Sequence, residues 1–287
     1  MSTKIINMPS NLNILITNDD GYTSKGLREL VEIMRPYGHV TVIAPKTHQS
    51  GMSVAVSIGG RILAYRKIRE EEGVSWAYLE GTPASCVKFA LDRVFPDRKC
   101  DVVLSGINHG SNASVATNYS GTMGAAEEAA INGILGIGVS LSEYGDDADF
   151  STVKEYFPAL FEKIMNNLPE RRGISYNINF PPSGTVIKGV KVCHEGLGFW
   201  TEELEPFGRS LSEAEGRSLS HVEEPDDDFG EMLFLMRGRF VDASPEDDRA
   251  CDHHAVDDGY IAITPQTMDR TDYSEKDRLS PWMDVDF

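Results

Sequence analysis

The chain has 287 residues, 40% of them hydrophobic, and a formal net charge of −18. That length fits one large domain, or one domain with an appended piece, and the charge excludes non-specific binding to nucleic acid polymers while leaving room for a small anion beside a bound cation. No apolar run is long enough to span a bilayer, Met1 to Asn13 lacks the apolar segment of a secretory signal, and Cys86, Cys100, Cys193 and Cys251 form no Cys-x-x-Cys pair; a cytoplasmic protein with no membrane partner is expected.

Ile14 to Gly21 begins as a buried strand of a parallel sheet and breaks into Asn18-Asp19-Asp20-Gly21. Leu27, Leu30, Val31 and Met34 then recur at helical spacing. Strand, acidic turn and helix follow in that order, and ligands of open α/β sheets bind at the carboxyl ends of strands. Adjacent carboxylates there either hold a hard divalent cation or supply a nucleophile or base. Asn, Asp and Gly are also ordinary turn residues, but a helix cap needs only one acid, and two side by side repel unless something compensates them.

His39 to Pro45 reads as a second strand, ending in a polar turn that contains Ser50 and opens on the same sheet edge as Asp19 and Asp20. Val54 to Ile58, Arg61 to Tyr65 and Val74 to Leu79 read as further strands, the last two as a hairpin around the charged run Arg69 to Gly73. Gly81-Thr82-Pro83-Ala84 feeds a helix. Asp101 to Asn108 is another buried strand ending in polar residues. It runs through Asn112 into Ser120-Gly121-Thr122 and an alanine-rich helix, a stretch dense in small and hydroxyl side chains that can cradle a phosphate. Neither a Walker A loop nor a dinucleotide fingerprint is present.

Gly136 to Leu141 and Ser175 to Phe180 are strands around a helix over Val153 to Leu168; Asn177 and Asn179 share one face, as site residues or as satisfied core amides. From about Lys188, Val190 to Cys193 and Met232 to Arg237 are expected in a hairpin-rich section, separated by the acidic stretch Glu202 to Asp228. If His253 and His254 lie on a strand they point to opposite faces, which argues against a shared ion. Tyr260 to Pro265 is a late strand, and the polar tail ends in Trp282, Met283 and Phe287. The expected architecture is α/β: a Rossmann-like, mostly parallel sheet with flanking helices over residues 1–190, plus a C-terminal hairpin or arm region for oligomerisation over 191–287, with a late core strand near 255–265.

Asn18-Asp19-Asp20-Gly21, Ser50 after Ala44-Pro45, Gly81-Thr82-Pro83-Ala84, and Ser105-Gly106-Ile107-Asn108 with Tyr119-Ser120-Gly121-Thr122 occur in one order. This order resembles that of the SurE family of survival-protein 5′-nucleotidases. The resemblance implies a metal-dependent phosphatase acting on nucleoside 5′-monophosphates and working as a homodimer or homotetramer. It implies metal ligands at Asp19, Asp20, Ser50 and Asn108, catalytic roles for Asp19, Asp20 and Asn112, and phosphate or substrate contacts at Asn18, Ser105, Gly106, Asn112, Ser120, Gly121 and Thr122. An all-oxygen ligand set suits Mg²⁺ or Mn²⁺. The chain departs from the family pattern at Ser85, where many members carry an acid, and at Ser114, where many carry glycine; the region from His194 to Arg237 is acidic where the family is usually rich in Arg and Tyr. One rival is an aspartyl-phosphate enzyme, which usually needs Asp-x-Asp; another is a nucleotide-binding or sensing module without turnover.

Overall fold

The computed structural model describes residues 11–60, 62–96, 99–145, 147–206 and 234–284. The chain forms two units, one of Met1–Gly196 with Asp247–Phe287 and the other of Leu197–Glu246. In chain order the strands are β1 (Leu12–Thr17), β2 (Gly38–Pro45), β3 (Tyr65–Glu71), β4 (Val74–Leu79), β5 (Val102–His109), β6 (Leu135–Leu141), β7 (Ile174–Phe180), β8 (Gly189–Val192), β9 (Gly198–Thr201), β10 (Leu204–Pro206), β11 (Phe234–Met236), β12 (Arg239–Asp242) and β13 (Tyr260–Thr267). The helices are α1 (Lys25–Met34), α2 (Pro83–Phe89), α3 (Gly121–Ile131), α4 (Ser151–Met165), α5 (Asp252–Asp257) and α6 (Tyr273–Met283).

The larger unit is built on one nine-stranded sheet in the order β3-β4-β2-β1-β5-β6-β7-β13-β8. From β4 to β7 all pairs are parallel; β3 is antiparallel to β4, and β13 is antiparallel to β7. Central strands are covered on both faces, which is why β1 reads as an apolar run without alternation. Ile14 and Ile16 pack with Leu27, Leu30 and Met34 of α1 and Phe157 and Phe161 of α4. Leu15 points the other way, into a cluster with Cys86 and Val87 of α2 and Ala125 and Ala129 of α3. The chain leaves β1 toward β2 and β4, then returns to lay β5 on the other side of β1. The strand order therefore reverses between β1 and β5, the crevice where open α/β sheets bind ligands.

Several sequence expectations change. Val54 to Ile58 is no strand: Thr82 Oγ1 donates to the Ala55 carbonyl at 2.6 Å and the Ser57 amide to Ser85 Oγ at 2.8 Å, so these backbone groups are taken by a helix start. The strand expected over Arg61 to Tyr65 begins only at Tyr65 and runs on into the charged stretch as the exposed edge strand β3. Expected in a hairpin section, β8 instead joins the main sheet parallel to β13. The tail contains α6, capped by the Asp272 side chain. Most of the acidic stretch lies outside the described residues, as does Phe287. Among its described residues the smaller unit has two antiparallel pairs, β9 with β12 and β10 with β11, and Trp200 meets Phe240 edge-on at 5.7 Å.

Gly26 decides how closely α1 approaches β5. A Cβ there would fall 2.0 Å from the Ile107 carbonyl oxygen, a backbone atom that cannot step aside. Gly→Ala inside a helix ordinarily stabilises by about 1 kcal/mol. Gly26→Ala is expected to do the reverse, lowering stability by about 1–3 kcal/mol through overpacking, as read by urea unfolding. An unchanged or raised midpoint would show that α1 is not seated on β5 in this way.

Candidate active site

The carboxyl ends of β1 and β5 lie side by side, Thr17 opposite Ser105. Strand alternation continues past the end of β1 and sends consecutive side chains to opposite faces. Asn18 turns toward α1, where its Nδ2 donates to Ser24 Oγ at 2.7 Å and to the Gly21 carbonyl at 3.1 Å. Ser24 is itself the N-cap of α1, so Asn18 ties the acidic turn to that helix. Asp19 turns the other way, toward α3.

Asp19 is buried, and Thr122 Oγ1 donates to its Oδ1 at 2.6 Å. Burial pushes the Asp19 carboxyl up to about 6; the Thr122 hydrogen bond opposes the rise and the Asp20 charge adds to it. Gly121 opens the space beside it. A Cβ at 121 would lie 2.8 Å from Asp19 Cβ and 3.0 Å from both Asp19 Oδ2 and the Gln49 carbonyl oxygen. Ser120 caps α3 by accepting from the Met123 amide at 3.1 Å. The three residues of this turn thus have three tasks: a cap, a clearance and an orienting hydroxyl. Exposed Ser50 follows Gln49, whose amide donates to the Asp19 carbonyl at 2.7 Å, so the second polar turn is fastened to the first.

Asp20 faces two imidazoles. His109 Nδ1 lies 3.0 Å from its Oδ2 and His48 Nδ1 3.7 Å from its Oδ1. An ionised carboxylate only accepts, so the His109 Nδ1 that it orients carries the hydrogen. Asn108 sits beyond a bulge in β5: Gly106 pairs with Val139 and Asn108 with the next residue, Ser140, which leaves Ile107 extra. Gly106 has φ +137°, is joined to Ile107 by a cis peptide, and would clash with the Val139 carbonyl if it had a Cβ. Its glycine is required for packing against β6. The Asn108 amide nitrogen donates to the Gly110 carbonyl at 2.8 Å, which directs Oδ1 the other way.

Asn112 is held from three sides. Its amide nitrogen donates to Asn179 Oδ1 at 2.8 Å, its carbonyl accepts from Asn177 Nδ2 at 2.7 Å, and its side-chain Nδ2 donates to Ser140 Oγ at 2.9 Å. Asn179 Nδ2 in turn donates to Asn177 Oδ1 at 2.8 Å. The shared face of the two β7 asparagines is therefore a clamp on the Asn112 loop. Ser114, two residues on, has φ +56° and donates its amide to both oxygens of Asp252, at 3.0 Å each. A left-handed φ is one that glycine adopts without strain.

Asp19 thus meets Thr122 at the start of α3 and Asp20 meets His109, the neighbour of Asn108, at the end of β5, while Asn18 turns to α1 and the clamped loop brings Asn112 after β5. Sequence reasoning missed His109, Ser140 and Asp252. His109 adjoins Asn108 and could have been drawn from the polar run after β5, whereas Asp252 is remote in sequence and carried no signal. The reading of His253 and His254 as strand neighbours also fails: both lie on α5, with ring centroids 4.4 Å apart.

Two atoms test whether the site suits a cation. Asn18 Oδ1 and Ser105 Oγ are buried and have no hydrogen-bond partner among the described residues. Buried polar atoms are normally paired, and Asn18 directly precedes the two carboxylates while Ser105 lies opposite Thr17, so acceptors left over at this strand edge suit water or a hard ion. The donors are oxygens throughout, which favours such a cation over zinc.

The family model described as survival protein SurE matches residues 14–202. A 5′-nucleotidase SurE from Phocaeicola vulgatus is 39% identical over 270 residues, 94% of this chain and 96% of that one. The 5′-nucleotidase SurE of Cytophaga hutchinsonii is 37% identical over 262 residues, covering 90% and 92%. The crystal structure of a SurE protein from Aquifex aeolicus superimposes with a TM-score of 0.71 at 28% identity, covering 93% of this chain and 98% of that one.

The raised Asp19 pKa has a consequence for the metal-free fold. Between 3.8 and about 6 the folded chain binds more protons at Asp19 than the unfolded chain, so this group's contribution to stability falls as pH rises through that window. Asp19→Asn is expected to stabilise the chelator-treated protein by about 1–3 kcal/mol at about pH 7 and to add little at about pH 4. Equal effects at both pH values, measured by denaturant unfolding, would mean that Asp19 titrates normally.

Proposed function

The chain belongs to the SurE family, and from that premise we infer that it is a 5′-nucleotidase, a phosphatase that releases phosphate from nucleoside 5′-monophosphates. One observation supports the site assignment: at the crevice where the strand order reverses, Asp19 is bonded to the start of α3 through Thr122 and Asp20 is paired with His109 at the end of β5. Asp19, Asp20, Ser50 and Asn108 are the proposed ligands of one divalent cation, Mg²⁺ or Mn²⁺. When bound, such a cation offsets the charge that develops on a phosphoryl group in transfer.

The remaining work falls to the protein. Thr122 fixes the rotamer of Asp19, and His109 that of Asp20, so both carboxylates are held in place before substrate arrives. The start of α3 helps hold the Asp19 carboxylate, through the Thr122 hydroxyl and the Thr122 amide, where the helix dipole favours negative charge. Asn112 spends one Nδ2 hydrogen on Ser140 and keeps the other for a phosphate oxygen. Ser105, Gly106, Ser120 and Gly121 surround this position as packing, clearance and cap, and Asn18 as the lock on the acidic turn. No helix among the described residues is long and apolar enough to cross a membrane. Four thiols support a reducing, cytoplasmic setting. Exposed Phe199, Leu204, Phe234 and Met236 on the smaller unit support self-association as a homodimer or homotetramer.

Phosphate release from 5′-AMP and 5′-GMP with added Mn²⁺ or Mg²⁺ tests the assignment. Release is expected to stop with EDTA and to fall at least ~100-fold in Asp20→Asn, a loss larger than is usual for an outer partner of a metal ligand. Nucleotide binding without phosphate release in folded, metal-loaded protein would instead support a sensing module. Thr122→Val is expected to weaken the activating metal about 10–100-fold while largely sparing kcat at saturating metal, because the hydroxyl acts through Asp19. A lower kcat with unchanged metal affinity would place Thr122 on the substrate.

A further inference from the structure

Tyr144, in the connection from β6 to α4, is 75% exposed beside the candidate active site. Single exposed aromatics are ordinary, but this ring has a seat made for it. It occupies the place that a side chain at 110 would take. A Cβ on Gly110 would fall 2.3 Å from Tyr144 Cε1 and 2.9 Å from Cζ, and Gly110 has φ +107°. The two loops are also tied through one atom: the Leu141 carbonyl accepts from the Gly110 amide at 2.8 Å and from the Glu143 amide at 2.7 Å. Glu143 Oε2 accepts from the Ser183 amide at 2.9 Å. Beyond Tyr144, Lys25 Nζ donates to the Ala148 carbonyl at 2.7 Å, and Phe150 meets His109 edge-on at 5.1 Å. The connection is therefore fastened on both sides of Tyr144, and a phenol with only two side-chain torsions is presented at small entropic cost.

Gly110 stands between two residues of the site. Its carbonyl accepts from Asn108 Nδ2 at 2.8 Å, and Asn112 follows two positions later, at most about 7.6 Å away between Cα atoms. A phosphate held by Asn112 leaves its sugar and base within reach of the Tyr144 ring. Resting on the nucleotidase reading above, we propose that Tyr144 is the platform on which the nucleobase of the substrate stacks. Stacking engages a π-face and no particular pattern of hydrogen bonds, so it tolerates every base and favours the larger purines. It also suits a chain of net charge −18, because it adds affinity without a cationic side chain. The substrate class follows: nucleoside 5′-monophosphates of any base, purines ahead of pyrimidines, with sugar phosphates that lack a base bound poorly.

Steady-state phosphate release from 5′-AMP, 5′-CMP and ribose 5-phosphate at saturating Mn²⁺ tests this. The preference for 5′-AMP over ribose 5-phosphate, taken as the ratio of their kcat/KM values, is expected to fall about 10-fold in Tyr144→Ala, with the loss in the KM for 5′-AMP. The preference for 5′-CMP over ribose 5-phosphate is expected to fall less. Tyr144→Phe keeps the ring and is expected to hold the 5′-AMP ratio within about 2-fold of the natural chain. Circular dichroism checks folding; if Tyr144→Ala does not fold, Tyr144→Leu, which keeps apolar bulk without a π-face, must show the same loss. An unchanged ratio in the folded variant, or an equal fall in Tyr144→Phe, overturns the platform. Release from none of the three esters by the natural chain defeats the nucleotidase reading itself. Equilibrium dialysis of 5′-AMP against metal-loaded protein then decides the platform separately: about 10-fold weaker binding by Tyr144→Ala upholds it, and equal binding, or none by the natural chain, overturns it.

Discussion

Two neighbouring carboxylates at the end of a buried strand repel each other, and one of them is out of water. Much of the larger unit is arranged around tolerating that pair. The Thr122 hydroxyl binds Asp19, the Gln49 amide binds the Asp19 carbonyl, and His109 faces Asp20. Residue 121 must lack a Cβ, since one would strike Asp19. A carboxylate held this way in a dry crevice gains strongly from a cation and is uncomfortable without one, so the metal-free protein stores an electrostatic penalty at the place where binding relieves it.

A second layer fixes the residues that would handle substrate. Asn112 is clamped by Asn177, Asn179 and Ser140, which come from two different strands, and Ser114 is anchored on Asp252 from near the end of the chain. Every member of this layer is buried. Networks of satisfied buried amides are rigid, because losing any one bond leaves its partner desolvated. The loop after β5 thus gains a rigidity that its own glycine- and serine-rich sequence would not confer.

Ser85 and Ser114, both unexpected from the resemblance, have local roles in this packing. Ser85 takes a hydrogen bond from the Ser57 amide at 2.8 Å and meets Thr82 Oγ1 at 2.8 Å, so it helps close the start of α2. Ser114 accepts a left-handed backbone where glycine would be unstrained, and its hydroxyl donates to the Gly196 carbonyl at 2.9 Å in return. That side-chain bond offsets a backbone preference of about 1 kcal/mol.

The sequence by itself determined the central strands, the helices between them and the acidic turn at their edge. Ile14 to Thr17, Val42 to Pro45 and Val102 to Asn108 are buried on both faces, and burial of that kind writes itself as an apolar run that ends where the chain meets solvent. Asp19 and Asp20 stand at such an ending, while the roles expected of Asn108 and Asn112 came from the resemblance of the motif order to a known family. Only the tertiary structure decided what surrounds them. Val54 to Ile58 alternates like a strand, yet its backbone bonds go to Ser85 and Thr82, which local pattern cannot report. His253 and His254 read as opposed neighbours on a strand, yet α5 sets their rings 4.4 Å apart. Asp252 reaches Ser114 across 138 positions of chain. Such contacts depend on which strands become neighbours, and that depends on the packing of the whole sheet, not on the spacing of residues along any one segment.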